Sequence, residues 1–233
     1  MALPYFFIAD ISNTAITLDE DTSKHVISVL RMRQGEELLL TDGKGTKATA
    51  TITDDNRKRC EVQILRRTTE LQATSNISIA ISLVKNASRF EWFLEKATEI
   101  GVTEIVPLLC DRTEKEKFRH DRLNGILISA MLQSQQCWLP VLHEPIPFAK
   151  ILQTSIDQKF IAHCDEGVKQ QLSSQLINRS ADQLILIGPE GDFTESEIET
   201  ALASGFQPVA LGNTRLRTET AGIVAATLLC NGF

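Results

Sequence analysis

The chain has 233 residues, 42% apolar and 23% charged, which is the profile of an ordinary globular protein with length for one large domain or two small ones. A formal net charge of -6 argues against broad nucleic-acid binding, which needs cations to neutralise phosphates, but it leaves room for a local basic face. The five cysteines, Cys60, Cys110, Cys137, Cys164 and Cys230, form no C-x-x-C pair. They read as reduced, buried thiols of a cytosolic protein, without a metal site. The opening "MALPYFFIAD" lacks a basic segment and meets Asp10 early, so it does not read as a signal peptide. No run approaches the roughly 18 apolar residues of a membrane helix.

Residues 1–72 read as a small β-barrel or sandwich. Ala48, Ala50 and Ile52 alternate with threonines, and Val62 and Ile64 alternate with polar residues, the two-residue period of a half-buried strand. Asp42-Gly43 and Asp54-Asp55-Asn56 supply turns, and "HVISVLRM" reads as one short helix. Cations cluster at Arg31 and Arg33, at Arg57-Lys58-Arg59 and at Arg66-Arg67. The region is nevertheless balanced, with 10 Lys/Arg against 11 Asp/Glu. Any single cluster is more simply a solvated turn, but together they can form a stripe that positions a phosphate backbone.

The texture changes near residues 68–76. The strands "ISIAISLV", "EIVPLLC", "KFIAHC", "QLILIG" and "QPVALG" then alternate with helices, and several are apolar on both faces, as in a parallel sheet covered by helices. "SRFEWFLEKATEIG" is expected to start at a Ser88 cap and stop at Gly101. Lys85 and Arg89 lie between a strand end and this helix. "AMLQSQQCWLP" places Gln133, Ser134 and Gln136 late in a helix. "FTESEIETALASG" carries a capping box, Thr194 with Glu197, and ends at Gly205.

Two loops stand where parallel strands end, the place where ligands collect in open α/β sheets. "QLILIG" runs into "PEGDF", and "QPVALG" into "NTRLRTETAG". Thr218 or Thr220 can cap the last helix, and Glu219 suits its positive end. Arg215 and Arg217 oppose that dipole and call for another reason, such as an anionic ligand. Neither G-x-G-x-x-G nor G-x-x-x-x-G-K-[ST] is present, which rejects dinucleotide and P-loop enzymes. No G-x-S-x-G elbow exists, and of the four histidines only His163 stands at a strand end facing the proposed site.

The segments "HVISVLRMRQGEELLLTDG", "SRFEWFLEKATEIGVTEIVPL", "QSQQ", "LILIGPEGDFTESEI" and "LGNTRLRTETA" occur in the order and spacing of a known family. The chain resembles the bacterial 16S rRNA (uracil-N3)-methyltransferases, the RsmE family of the SPOUT class, over essentially its whole length. The resemblance implies a PUA-like, RNA-binding β-barrel over residues 1–72. It implies an α/β methyltransferase domain with a C-terminal trefoil knot over residues 73–233. It further implies a cytoplasmic homodimer, S-adenosylmethionine as cofactor, and 16S rRNA or the small ribosomal subunit as partner, methylated at N3 of the decoding-region uridine 1498. No metal and no membrane are implied.

By the same resemblance, Ile187, Gly188, Glu190, Gly191, Leu211, Gly212, Leu216, Thr220 and Ala221 bind the cofactor. Arg217 and Glu219 carry the chemistry, with Glu190 as an alternative base. Arg31, Arg33, Arg57, Lys58, Arg59, Lys85 and Arg89 hold RNA, which implies substrate binding that weakens steeply with salt. Three departures stand out: Asp192 where a second glycine is common, Leu132 and Gln136 where a glutamate and an arginine are usual, and Asn213-Thr214-Arg215 in place of Pro-Arg. The competing readings are a related methyltransferase for another rRNA or tRNA nucleotide, and an RNA-binding module without catalysis.

Overall fold

The fold is that of a computed structural model, which describes residues 3–114, 117–165, 169–176, 178 and 180–231. The chain divides into two compact units. The first comprises Met1–Gln72 with Met131–Leu139, and the second Ala73–Ala130 with Pro140–Phe233. The segment 131–139, expected within the second part, therefore groups with the first.

The first unit holds β1 (Tyr5–Phe7), β2 (Ala15–Thr17), α1 (Glu20–Lys24), which continues as a π-turn over His25–Val29, β3 (Glu37–Thr41), β4 (Thr46–Asp54) and β5 (Glu61–Thr69). The helix thus begins five residues before the expected "HVISVLRM", because Asp19 caps it by accepting from the Thr22 N–H at 2.9 Å. The sheet order is β1-β3-β4-β5-β2, with β1 parallel to β3 and the other pairs antiparallel. Ala48, Ala50, Ile52, Val62 and Ile64 face inward onto Leu38, Leu40 and Val26, which realises the two-residue period. Asp42 shapes the β3–β4 turn by accepting from the N–H groups of Lys44 and Thr46. Gly45 has φ +90°, and a Cβ there would sit 2.3 Å from the Trp138 ring, so only glycine lets the 131–139 segment dock. Trp138 packs, as expected, and donates its indole N–H to the Glu70 carbonyl.

The second unit contains β6 (Ile77–Ser82), α2 (Ala87–Ile100), β7 (Glu104–Leu109), α3 (His120–Gln133) except its last three residues, which group with the first unit, β8 (Val141–Leu142), β9 (Ile146–Pro147) and α4 (Phe148–Ile151). It continues through β10 (Gln158–Ala162), β11 (Gln170–Gln171), α5 (Leu172–Gln175), β12 (Gln183–Ile187), α6 (Glu195–Ala203), β13 (Gln207–Ala210) and α7 (Thr218–Asn231). The sheet is parallel in the order β11-β13-β10-β12-β6-β7-β8, with β9 also paired to β7. Every residue of β12 is buried, which accounts for its unbroken apolar run.

The cap of α2 is Asn86, whose side chain accepts from the Ser88 N–H, and not Ser88 itself. Its end at Gly101, φ +106°, is as expected. The Thr194–Glu197 capping box on α6 is present, and Glu197 also accepts from the Asp111 N–H at 2.9 Å. Ser134 and Gln136 lie beyond α3 rather than in it. Helix α7 starts at Thr218, so Arg217 stands before it and neither Thr218 nor Thr220 occupies the expected cap. On the buried face of α7, a Cβ on Gly222 would come within 2.6 Å of the Phe93 ring and 2.9 Å of Ile81, so the helix backbone lies directly on α2 and β6.

Candidate active site

Two strand ends carry the site. Because β10 pairs with both β12 and β13, the loops leaving β12 and β13 open at the same edge of the sheet. There they enclose a cavity of about 340 Å³, lined by Ile187 at the end of β12 and Gly188, Pro189, Glu190 and Asp192 of its loop, by Arg215, Leu216 and Arg217 of the other loop with Thr218 and Ala221 of α7, and by Ala162 at the end of β10 with Cys164 just after it. A second cavity of about 510 Å³ shares Ala162, Cys164, Arg215, Leu216 and Ala221 with the first and continues along Leu211, Gly212, Asn213, His163 and Lys169. The two form one bipartite cleft whose walls mix apolar residues with charged and polar ones, among them Glu190, Asp192, Arg215 and Arg217.

Asp192 ties the β12 loop to the segment that follows β10. It has φ +64°, accepts from the Cys164 N–H at 2.7 Å through Oδ2, and accepts from the Phe193 N–H through Oδ1. A Cβ on Gly188 would come within 3.0 Å of the Phe193 ring, so the start of the loop is tightly packed. Arg112 braces the outer side by donating to the carbonyls of Gly191 and Phe193.

Carboxylates converge at the mouth. Arg89 Nη1 lies 3.8 Å from Glu190 Oε1, and its Nε lies 3.7 Å from Glu219 Oε1. Glu219 is only 6% exposed, and its Oε2 is buried without a hydrogen-bond partner among the described residues. Such an atom is costly unless a ligand satisfies it. His163 is similar: neither ring nitrogen has a partner among the described residues, and burial first, then Lys169, holds its pKa below the ordinary value.

The structure brings together Ile187, Gly188, Glu190, Leu211, Gly212, Leu216, Arg217 and Ala221 on the cleft walls; Glu219 lines neither cavity and is linked to the wall residue Glu190 through Arg89. Gly191 and Thr220 are not among the wall residues; the Gly191 backbone is turned to Arg112 instead. Arg89, expected to touch RNA, is engaged with Glu190 and Glu219, and Lys85 pairs with Glu114 at 3.1 Å. Arg31, Arg33, Arg57, Lys58 and Arg59 are exposed in the first unit, with Arg33 3.8 Å from Asp55. Arg31 holds φ +60°, an uncommon conformation for a side-chain-bearing residue.

Ala162, Cys164 and Lys169 were not evident as site residues, although β10 ends at the same edge as β12 and that shared edge was the available signal. Cys164 is exposed, contrary to the expected burial of all five thiols, and Cys230 is half-buried. Burial pushes Cys60 and Cys137 to about 11 and Cys110 and Cys230 to about 12, which leaves those four thiols inert.

A family model described as an RNA methyltransferase domain matches residues 71–230, and one described as an RNA methyltransferase PUA domain matches residues 18–65. Fold, cleft and these matches define an RNA methyltransferase with an appended PUA domain. The chain is 30% identical to ribosomal RNA small subunit methyltransferase E of Synechocystis sp. over 222 residues, 92% of this chain and 72% of that protein. The crystal structure of a probable rRNA-methyltransferase from Porphyromonas gingivalis superposes with a TM-score of 0.91 at 41% identity, covering 98% of this chain and 99% of that one. Ribosomal RNA small subunit methyltransferase E from Neisseria gonorrhoeae, solved bound to S-adenosyl methionine, gives a TM-score of 0.87 at 31% identity, covering 98% and 97%. The chain belongs to the ribosomal RNA small subunit methyltransferase E family.

Proposed function

We propose that the chain transfers a methyl group from S-adenosylmethionine to N3 of the decoding-region uridine of 16S rRNA during small-subunit maturation. The observation that carries this reading is the bipartite cleft, a nucleoside-sized space with the exposed Arg217 on its wall, beside which Glu219 is buried with no partner for Oε2 among the described residues. The residues present fit the methyl donor. Ile187, Leu211, Leu216 and Ala221 offer apolar walls to an adenine ring. Gly212, at φ +145° with no atom within 4 Å of a Cβ position, leaves the backbone open to close approach. The carboxylates of Glu190 and Asp192 on the wall complement a cationic sulfonium and an amino group.

When bound, S-adenosylmethionine supplies an electrophilic methyl group on a cationic sulfur. The chain's own residues prepare the acceptor. Uracil N3–H is a weak acid, so the transfer needs its proton removed and the resulting charge on O2 and O4 stabilised. Glu219 Oε2 accepts the proton as general base, and Arg89 holds that carboxylate through Oε1. Arg217 stabilises the anion. N3 lies on the pairing edge, so the uridine enters unpaired. The loops 188–192 and 211–217 are read as the loops of a trefoil knot, and the working form as a homodimer. Arg31, Arg33 and the exposed Arg57-Lys58-Arg59 turn are read as the grip of the PUA-like unit on surrounding rRNA.

Arg217→Ala and Glu219→Gln test the roles. Single-turnover transfer is expected to fall about 100-fold or more in each, the usual contribution of one such group, with cofactor affinity changed only a few-fold. Near-normal turnover in either variant removes that residue from the chemistry.

A further inference from the structure

A third cavity, of about 330 Å³, opens on the other side of the first turn of α2, within the size range of ligand sites, about 300–1,000 Å³. Its floor is Phe90 and Leu123, both buried, and its rim carries Lys117, Phe118, Arg119 and Arg122. Among the described residues Glu91 is the only carboxylate on the wall, and it is engaged with Arg122 at 2.9 Å. Lys117 and Arg119 are exposed and have no ion-pair partner among the described residues. Among the described wall residues, three cations against one carboxylate make a local excess of positive charge in a chain of net charge -6. The half-buried Phe118 stands between the two unpaired cations in sequence and contributes an aromatic ring to the wall. Ser88 lines this cavity, and the next residue, Arg89, reaches Glu190 on the wall of the cofactor cleft. The two spaces therefore flank one helical turn.

Aromatic surface between cations is what single-stranded nucleic acid binds, through stacking on the ring and phosphate contacts to the cations. We propose that this cavity is an RNA subsite that takes a nucleotide flanking the target uridine, its base against Phe118 and its phosphate on Lys117 and Arg119. Arg122 is held by Glu91 and shapes the wall. The proposal rests on the reading of the chain as an rRNA methyltransferase and adds the residues that seat the strand beside the reacting base.

The test compares wild type with the double variant Lys117→Ala/Arg119→Ala and with Phe118→Ala, using small subunits that lack the modification. Cofactor affinity, initial rates at several salt concentrations, and molecular mass by light scattering are measured for each. The double variant is expected to raise KM for the subunit about tenfold or more and to lower the salt slope of log(1/KM) by about 1, as loss of one or two phosphate contacts does. Cofactor affinity, kcat and mass are expected to stay at wild-type values. Phe118→Ala is expected to raise KM several-fold with no change of slope. Wild-type KM and slope in all variants overturns the subsite while leaving the methyltransferase reading intact. A halved mass in the variants overturns it in favour of a contact with a second copy of the chain. A wild-type chain that binds cofactor but methylates no RNA overturns the underlying reading and the subsite with it.

Discussion

Asp192 holds a left-handed backbone at φ +64°, a conformation that glycine adopts without steric cost and that aspartate tolerates better than most residues. What it gains is a bond from the Cys164 N–H that ties the β12 loop to the end of β10, 28 residues away in sequence. Asp192→Ala loses that bond and keeps the strain, so calorimetric titration should show cofactor affinity reduced about tenfold. Asp192→Gly relieves the strain and should fall between the two; an alanine variant that binds like wild type would remove Asp192 from the cleft's framework. His163 supplies a pH signature. Its folded pKa lies below the ordinary value near 6.5, chiefly through burial. The unfolded chain therefore takes up the proton first as pH falls. The stabilising effect of the neutral ring is complete above about pH 6.5 and is lost as pH drops through the lowered folded value. Thermal melts should show wild type losing more stability than His163→Gln between pH 7 and pH 5, and parallel curves would contradict this. The importance of Asp192 as a departure is legible in the sequence. Its partner is not, because that contact exists only once β10 and β12 are neighbours.

At the scale of elements, the long strands and α2, α6 and α7 are legible because periodicity, caps and apolar runs act within one segment. The capping box at Thr194 and Glu197 is read directly from spacing, yet the same Glu197 also satisfies the Asp111 N–H, which spacing does not reveal. Asn86 and Ser88 are both good caps two residues apart, and local propensity does not choose between them. The pieces β8, β9, β11, α4 and α5 have two to four residues each, too few to carry a period. At Gly222 the α7 backbone lies directly on α2 and β6. Any side chain there meets Phe93 and Ile81 at less than 3 Å, so Gly222→Ala overpacks the α7–α2–β6 contact. A loss of about 1–3 kcal/mol in urea unfolding is expected. An unchanged midpoint would mean that α7 does not lie where its contacts indicate.

For the whole molecule, the decisive facts are long-range. The order β13-β10-β12-β6 aligns strand ends from distant parts of the chain, and this alignment makes two unremarkable loops into one cleft. Composition pointed away from nucleic acid, since the net charge is negative. The positive groups are nonetheless gathered, at Arg57-Lys58-Arg59 in one unit and around Phe118 in the other, while many acids serve caps, turns and the cleft. The family resemblance carried the cofactor and substrate where periodicity could not, because those depend on three-dimensional neighbours. The most direct test is methyl transfer from labelled S-adenosylmethionine to small ribosomal subunits lacking the modification, followed by nucleoside mass spectrometry. It is expected to yield 3-methyluridine mapped to the decoding region. Label on another nucleoside, or no transfer to subunits or to naked 16S rRNA while cofactor still binds, would contradict it.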